Sequence, residues 1–207
     1  MRVKSRWFNS ERPKTLGEIA GAGAFIVWRI AQQALVNMRR ADFEIHPGPK
    51  YFDFLSEWLV FLIQIADRIV YERIGAQRRF EFTSALANRV GEILADNRDD
   101  LLGAAPGAHR GDSSKTAFID LLNLRSIDYA DFRFDGTTTD FGFRRYLADQ
   151  LTHAVGERDS VWVHDQVMEI EVLQAVDLVR KAMANLFDDA PAPGGRSGTR
   201  GAALGGD

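Results

Sequence analysis

Asp149, His153 and Glu157 recur at intervals of four, a spacing that stacks two acids and an imidazole on one helical face. A carboxylate beside His153 would hold its tautomer and raise its basicity, as a general base requires. Gly156 falls inside the stack and is expected to end the helix before Glu157 joins it. The simpler expectation is therefore a solvated polar face with a local ion pair. His164 stands four residues before Met168 on the side expected to face the core. A hydrogen-bonded core histidine is the plain reading there, and a ligand-binding one the sharper. Asp149, His153 and His164 are the only candidates for catalysis that the sequence offers.

Several other chemistries fail on residue type or spacing. The chain has no cysteine, which removes disulfides, thiolate metal sites and cysteine nucleophiles. Helical di-metal enzymes place Glu-x-x-His on two helices, and no acidic residue here has histidine three positions later. Asp131, Asp135 and Gly136 imitate part of a calcium-binding loop, but Arg133 and Gly142 occupy positions that need oxygen ligands. Gly107, Gly111 and Lys115 imitate a phosphate-binding loop with three residues too many before the lysine. Gly21-Ala22-Gly23 lacks the third glycine and the preceding strand of a dinucleotide site. No cofactor and no metal is expected.

Binding rather than reaction is what remains. Arg2, Lys4, Arg6, Arg12 and Lys14 surround Trp7 and Phe8 at the N-terminus. Such an arm can lie on an anionic membrane surface or clamp an acidic partner, though a solvated arm is the plainer expectation. With a net charge of −3, no global basic footprint for nucleic acid exists. Aromatic residues make up 11% of the chain, and Trp28 and Trp58 fall in helical stretches. More apolar surface than one small bundle hides points to self-association or a protein partner.

The elements that position these residues read as helices. Thr15 and Glu18 form a capping box ahead of an apolar face at Leu16, Ile19, Gly23, Ile26, Ile30, Ala34 and Met38. Gly17 and Gly21 suggest a second helix crossing closely there. The longest apolar run, residues 19–28, is too short for a membrane span of about 20 residues, so no transmembrane helix is expected. After the Pro47-Gly48-Pro49 break, residues 51–70 are apolar nearly all round and predict a surrounded central helix that ends at Gly75. Asp53, Glu57, Gln64 and Asp67 draw one polar line along it. A wet edge is expected, since unpaired buried carboxylates are costly; a buried pairing with Arg29 or a cation is the alternative.

Further helices are expected over 78–97, from a cap at Ser113 or Ser114 through Phe118, Ile119, Leu122 and Leu124, over 143–155, and from a cap at Asp159 or Ser160 to about Phe187. The expectation is an all-α, single-domain bundle of five to six helices (15–188), flanked by the basic arm (1–14) and a disordered Gly/Ala/Pro tail (189–207). A cytoplasmic, non-catalytic interaction or assembly protein is the leading functional expectation. A small-ligand protein or enzyme with an internal pocket using His153 or His164, and a membrane-surface protein using the arm, are the alternatives.

Overall fold

Thr15 accepts a hydrogen bond from the Glu18 amide, and Glu18 accepts one from the Thr15 amide, closing the expected capping box at 3.2 and 2.9 Å. Behind it, helix α1 (Leu16–Arg40) turns the predicted face inward. The computed structural model describes residues 14–103, 111–155 and 159–188. The rest of the N-terminal arm, the C-terminal tail, and Gly156 and Glu157 lie outside the described residues.

Among the described residues the protein is an all-α bundle whose elements, in order, are α1, α2 (Pro49–Leu102), α3 (Asp112–Tyr129), α4 (Phe141–Thr152), α5 (Val163–Gln166) and α6 (Val172–Asp188). A π-helical turn, Val167–Glu171, joins α5 to α6. Phe132 and Phe134, the one short alternation, belong to an irregular stretch with a single bridge between Phe134 and Thr139.

α2 is a helical hairpin. Its helical path is interrupted at Gly75, where φ is 72° and ψ 173°, a left-handed backbone setting that favours glycine. In a straight helix Asp67 and Arg79 would stand about 18 Å apart, at 1.5 Å per residue. They are hydrogen-bonded at 2.8 Å instead. Farther along, the Arg98 guanidinium lies 5.8 Å from the Phe52 ring. The half after Gly75 therefore runs back along the half before it. The predicted stop at Gly75 is correct, and the reversal takes a single residue.

The first half of α2 is the enclosed rod the periodicity predicts. Phe54, Leu55, Trp58, Leu59, Val60, Phe61, Leu62, Ile63, Ile65 and Ala66 are wholly buried. α1 packs along α2, α6 packs on both, and α3 covers the hairpin from another side. By length and composition α1 is apolar enough to cross a membrane, but over half of its most apolar stretch is buried inside the bundle.

Four local expectations need correction. Among the described residues nothing crosses Gly17 and Gly21: no described atom lies within 4 Å of the position a Gly21 Cβ would take. Gly23 is the glycine of close approach, facing Leu86 and Met183 at 3.5 Å. α3 begins at Asp112 rather than after Ser113 or Ser114, because Gly111 adopts a left-handed conformation and donates its amide to Asp99. Leu124 is exposed instead of joining the α3 core face. The last helix starts at Val163; the buried Asp159 carboxylate accepts from the Glu44 amide, tying the turn before α5 to the segment after α1.

Candidate functional site at the α2 bend

The polar line on the first half of α2 is where expectation and structure part most. Asp53 is exposed, but Glu57 and Asp67 are only 8% and 6% exposed, because α3 and the second half of α2 lie over them. Each has an arginine. Glu57 accepts from Arg125 of α3 at 2.7 Å. Asp67 accepts from Arg79 Nε at 2.8 and 2.9 Å and from Arg79 Nη2, while the Thr83 hydroxyl donates to it at 2.6 Å. Gln64, between the two acids, donates to Ser126 of α3 at 2.7 Å. From Glu57 to Asp67 the line is thus a covered polar seam, and the expected wet edge holds only at Asp53. Arg29, weighed as a partner, is exposed on α1.

Arg68 extends the seam. Its guanidinium donates to the main-chain oxygens of Phe132 and Tyr129 and lies 4.7 Å above the Phe143 ring. Burial pulls its pKa below the ordinary arginine value, with Asp67 and Asp140 opposing. The hydrogen bond to Asp67 pushes Arg79 upward, and the one to Glu57 does the same for Arg125. Each guanidinium ion meets oxygen atoms on the buried side, which is how charge is kept beside an apolar helix, while Arg79 stays 41% exposed on its other side.

Beyond the seam stands an aromatic cluster. Tyr129, Phe132, Phe143 and Tyr146 lie with ring centroids 4.8 to 6.3 Å apart. The Tyr146 hydroxyl donates to Asp128 and receives a bond from Arg125 at 3.4 Å. Burial, then the bond to Asp128, raises its pKa to about 12. Tyr129 is enclosed completely, its hydroxyl has no partner among the described residues, and burial holds its pKa well above the ordinary range.

A cavity of about 470 Å³ opens between the two halves of α2 and α3, directly on the Asp67 side of this seam. Ile63, Ala87, Ile119 and Leu122 supply its apolar wall, and Arg79 and Asn88 lie among its polar groups. Phe80 lines it while 70% exposed. A second cavity, about 460 Å³, lies toward the far end of the hairpin by Asp53, Glu57 and Arg98.

The residues singled out for catalysis are not here. His153 is the C-terminal cap of α4 and exposed. It does not pair with Asp149, whose carboxylate is instead 2.6 Å from His164 Nε2, with Arg145 at 3.8 Å on its other oxygen. His164 is half-buried and clips α5 to α4, so the core placement expected for it is corrected to the bundle surface. No three His, Asp or Glu residues gather as a metal site among the described residues. In the calcium-like stretch the carboxylates serve as caps: Asp135 accepts the Thr137 and Thr138 amides, and Asp140 the Phe143 amide. Arg2, Lys4, Arg6, Trp7, Phe8 and Arg12 lie outside the described residues, and Lys14, the first described residue, is half-buried.

Sequence reasoning missed Arg68, Arg79, Thr83, Arg125 and Ser126. One signal was available: two acids on a helix apolar all round require cations, and arginine can reach them from neighbouring helices. Neither a known family, nor a characterised protein, nor a solved structure matches this chain.

Proposed function

We propose that the protein acts by binding and not by reaction, as a helical interaction protein that joins a second copy of itself or a partner protein through the outer face of α3. The two-sidedness of α3 carries this reading. Phe118, Leu122 and Tyr129 are buried inward, while Leu124 and Ile127 point away from them and are 56% and 71% exposed. A surface helix ordinarily keeps its outer face polar. Covering the part of each side chain still exposed contributes about 1–2 kcal/mol.

The test is light scattering at micromolar concentration together with affinity capture, on the native chain and on Ile127→Glu. The native chain is expected to dimerise or to retain a partner that Ile127→Glu loses. A monomeric native chain whose retained proteins match those of Ile127→Glu removes the proposal.

A further inference from the structure

We propose that the groove at the α2 bend binds a small organic molecule with an apolar body and one anionic head, the head held by Arg79. This is separate from the outer face of α3, because neither Leu124 nor Ile127 lines the groove.

Size and wall composition set the first constraint. A cavity of about 470 Å³ falls within the range of small-molecule sites, roughly 300–1,000 Å³. Ile63, Ala87, Ile119 and Leu122 make a concave apolar wall. Phe80 contributes a ring that is left largely in water although it borders that wall. A bound apolar body would cover both surfaces at once.

Charge sets the second constraint. The ionisable groups of the lining are Asp67, Arg68 and Arg79, a net charge of +1. Asp67 offers nothing to a newcomer: it is buried, and its two oxygens already take Arg79 and Thr83. Both terminal nitrogens of Arg68 are committed to main-chain oxygens. Arg79 differs. Its side chain is 41% exposed, and Nη1 has no hydrogen-bond partner among the described residues. The Asp67 pair fixes the plane of the guanidinium and leaves that nitrogen as the open donor. A carboxylate there gains a charge-assisted bond to a group already held in place. A cationic head would meet two guanidinium ions and a carboxylate already filled. The other cavity has the opposite balance, Asp53 and Glu57 against Arg98, and Glu57 is committed to Arg125.

Calorimetric titration of the full chain tests the proposal with octanoate and naphthoate, using octanol and naphthylmethanol as their uncharged counterparts. The acids are expected to bind at least about ten-fold more tightly than the alcohols, as one hydrogen bond to a charged group allows. Ser84→Phe, which fills the groove and leaves Asp67 and Arg79 in place, is expected to abolish binding without lowering the melting temperature. Arg79→Lys is expected to keep the positive charge but lose most of the preference for acids, since lysine lacks the fork. Equal affinity for acids and alcohols overturns the anionic head. Binding that survives Ser84→Phe, or no binding of either acid by the native chain, overturns the site. None of these outcomes changes the light-scattering result for α3, so the two proposals fail separately.

Discussion

Breaking the latch across Gly75 from its two ends should give unequal costs. Arg79→Met removes the paired cation and leaves the Asp67 carboxylate, 6% exposed, with the Thr83 hydroxyl as its one hydrogen-bond partner among the described residues, Arg68 being committed to main-chain oxygens. Stranding one buried member of an ion pair costs about 3–5 kcal/mol. Asp67→Asn removes the charge from the other end. Arg79 is 41% exposed there, so water can reach its guanidinium, and the amide oxygen still accepts one bond. That cost should fall to about 1–2 kcal/mol, a charged hydrogen bond discounted for solvent. The double variant Asp67→Leu/Arg79→Met leaves no stranded charge and should recover most of the loss seen in Arg79→Met. Urea unfolding followed by circular dichroism reads all three, provided the slope of free energy against urea stays constant. Against a typical total of about 5–15 kcal/mol, these differences are large. If Arg79→Met costs no more than Asp67→Asn, the seam is as wet as the sequence suggests and the reasoning fails.

Gly21→Ala should stabilise the chain by up to about 1 kcal/mol, since nothing meets the new methyl and helix propensity improves; a loss would show that a helix does cross there. Gly142→Ala should cost about 1–3 kcal/mol, because its Cβ would stand 2.8 Å from the Phe132 ring inside the aromatic cluster; an unchanged melting temperature contradicts this. Tyr146, raised to about 12, holds its proton in the fold after the unfolded chain has released it. Its contribution to stability is complete below the ordinary value near 10 and is lost as pH rises through about 12, so tyrosinate absorbance should lag in the native protein and Tyr146→Phe should flatten that alkaline decline. Glu92, held below the ordinary range by Arg89 and then Lys115, contributes stability that falls away as pH drops, and Glu92→Gln should weaken the acid dependence of the urea midpoint.

Much of the fold was legible because helices announce themselves locally. Thr15 and Glu18 mark a start, and Gly75 marks a stop whose backbone setting favours glycine. The direction the chain takes beyond a stop is not a local property. That it doubles back after Gly75 shows in contacts such as Asp67 with Arg79 and Thr83, between residues 12 and 16 positions apart, and no periodicity contains that fact. The polar line on α2 shows the same limit. Spacing places Glu57, Gln64 and Asp67 on one side, but what covers them comes from Arg125, Ser126 and Arg79. The π turn at Val167–Glu171 escapes for another reason: one extra residue per turn shifts the apolar stripe without breaking it. Spacing along one helix pairs Asp149 with His153, but the histidine it meets is His164, which reaches it from across a loop.

The buried pairs explain why α3 sits in one register on the hairpin. An apolar seam would tolerate sliding by a turn with modest repacking, and swapping a buried ion pair for apolar residues often costs nothing. A slide of one turn, about 5.4 Å, would carry Arg125 away from Glu57 and Ser126 away from Gln64 and, at the surface, Lys115 away from Glu92. Glu57 would then be buried without its cation, at several kcal/mol. The pairs therefore contribute little to how tightly α3 packs and a great deal to where it packs. The groove inherits that setting. Its walls come from two rods joined at one residue and a third pinned by those contacts, so its width is fixed by the seam and not by the apolar side chains that line it.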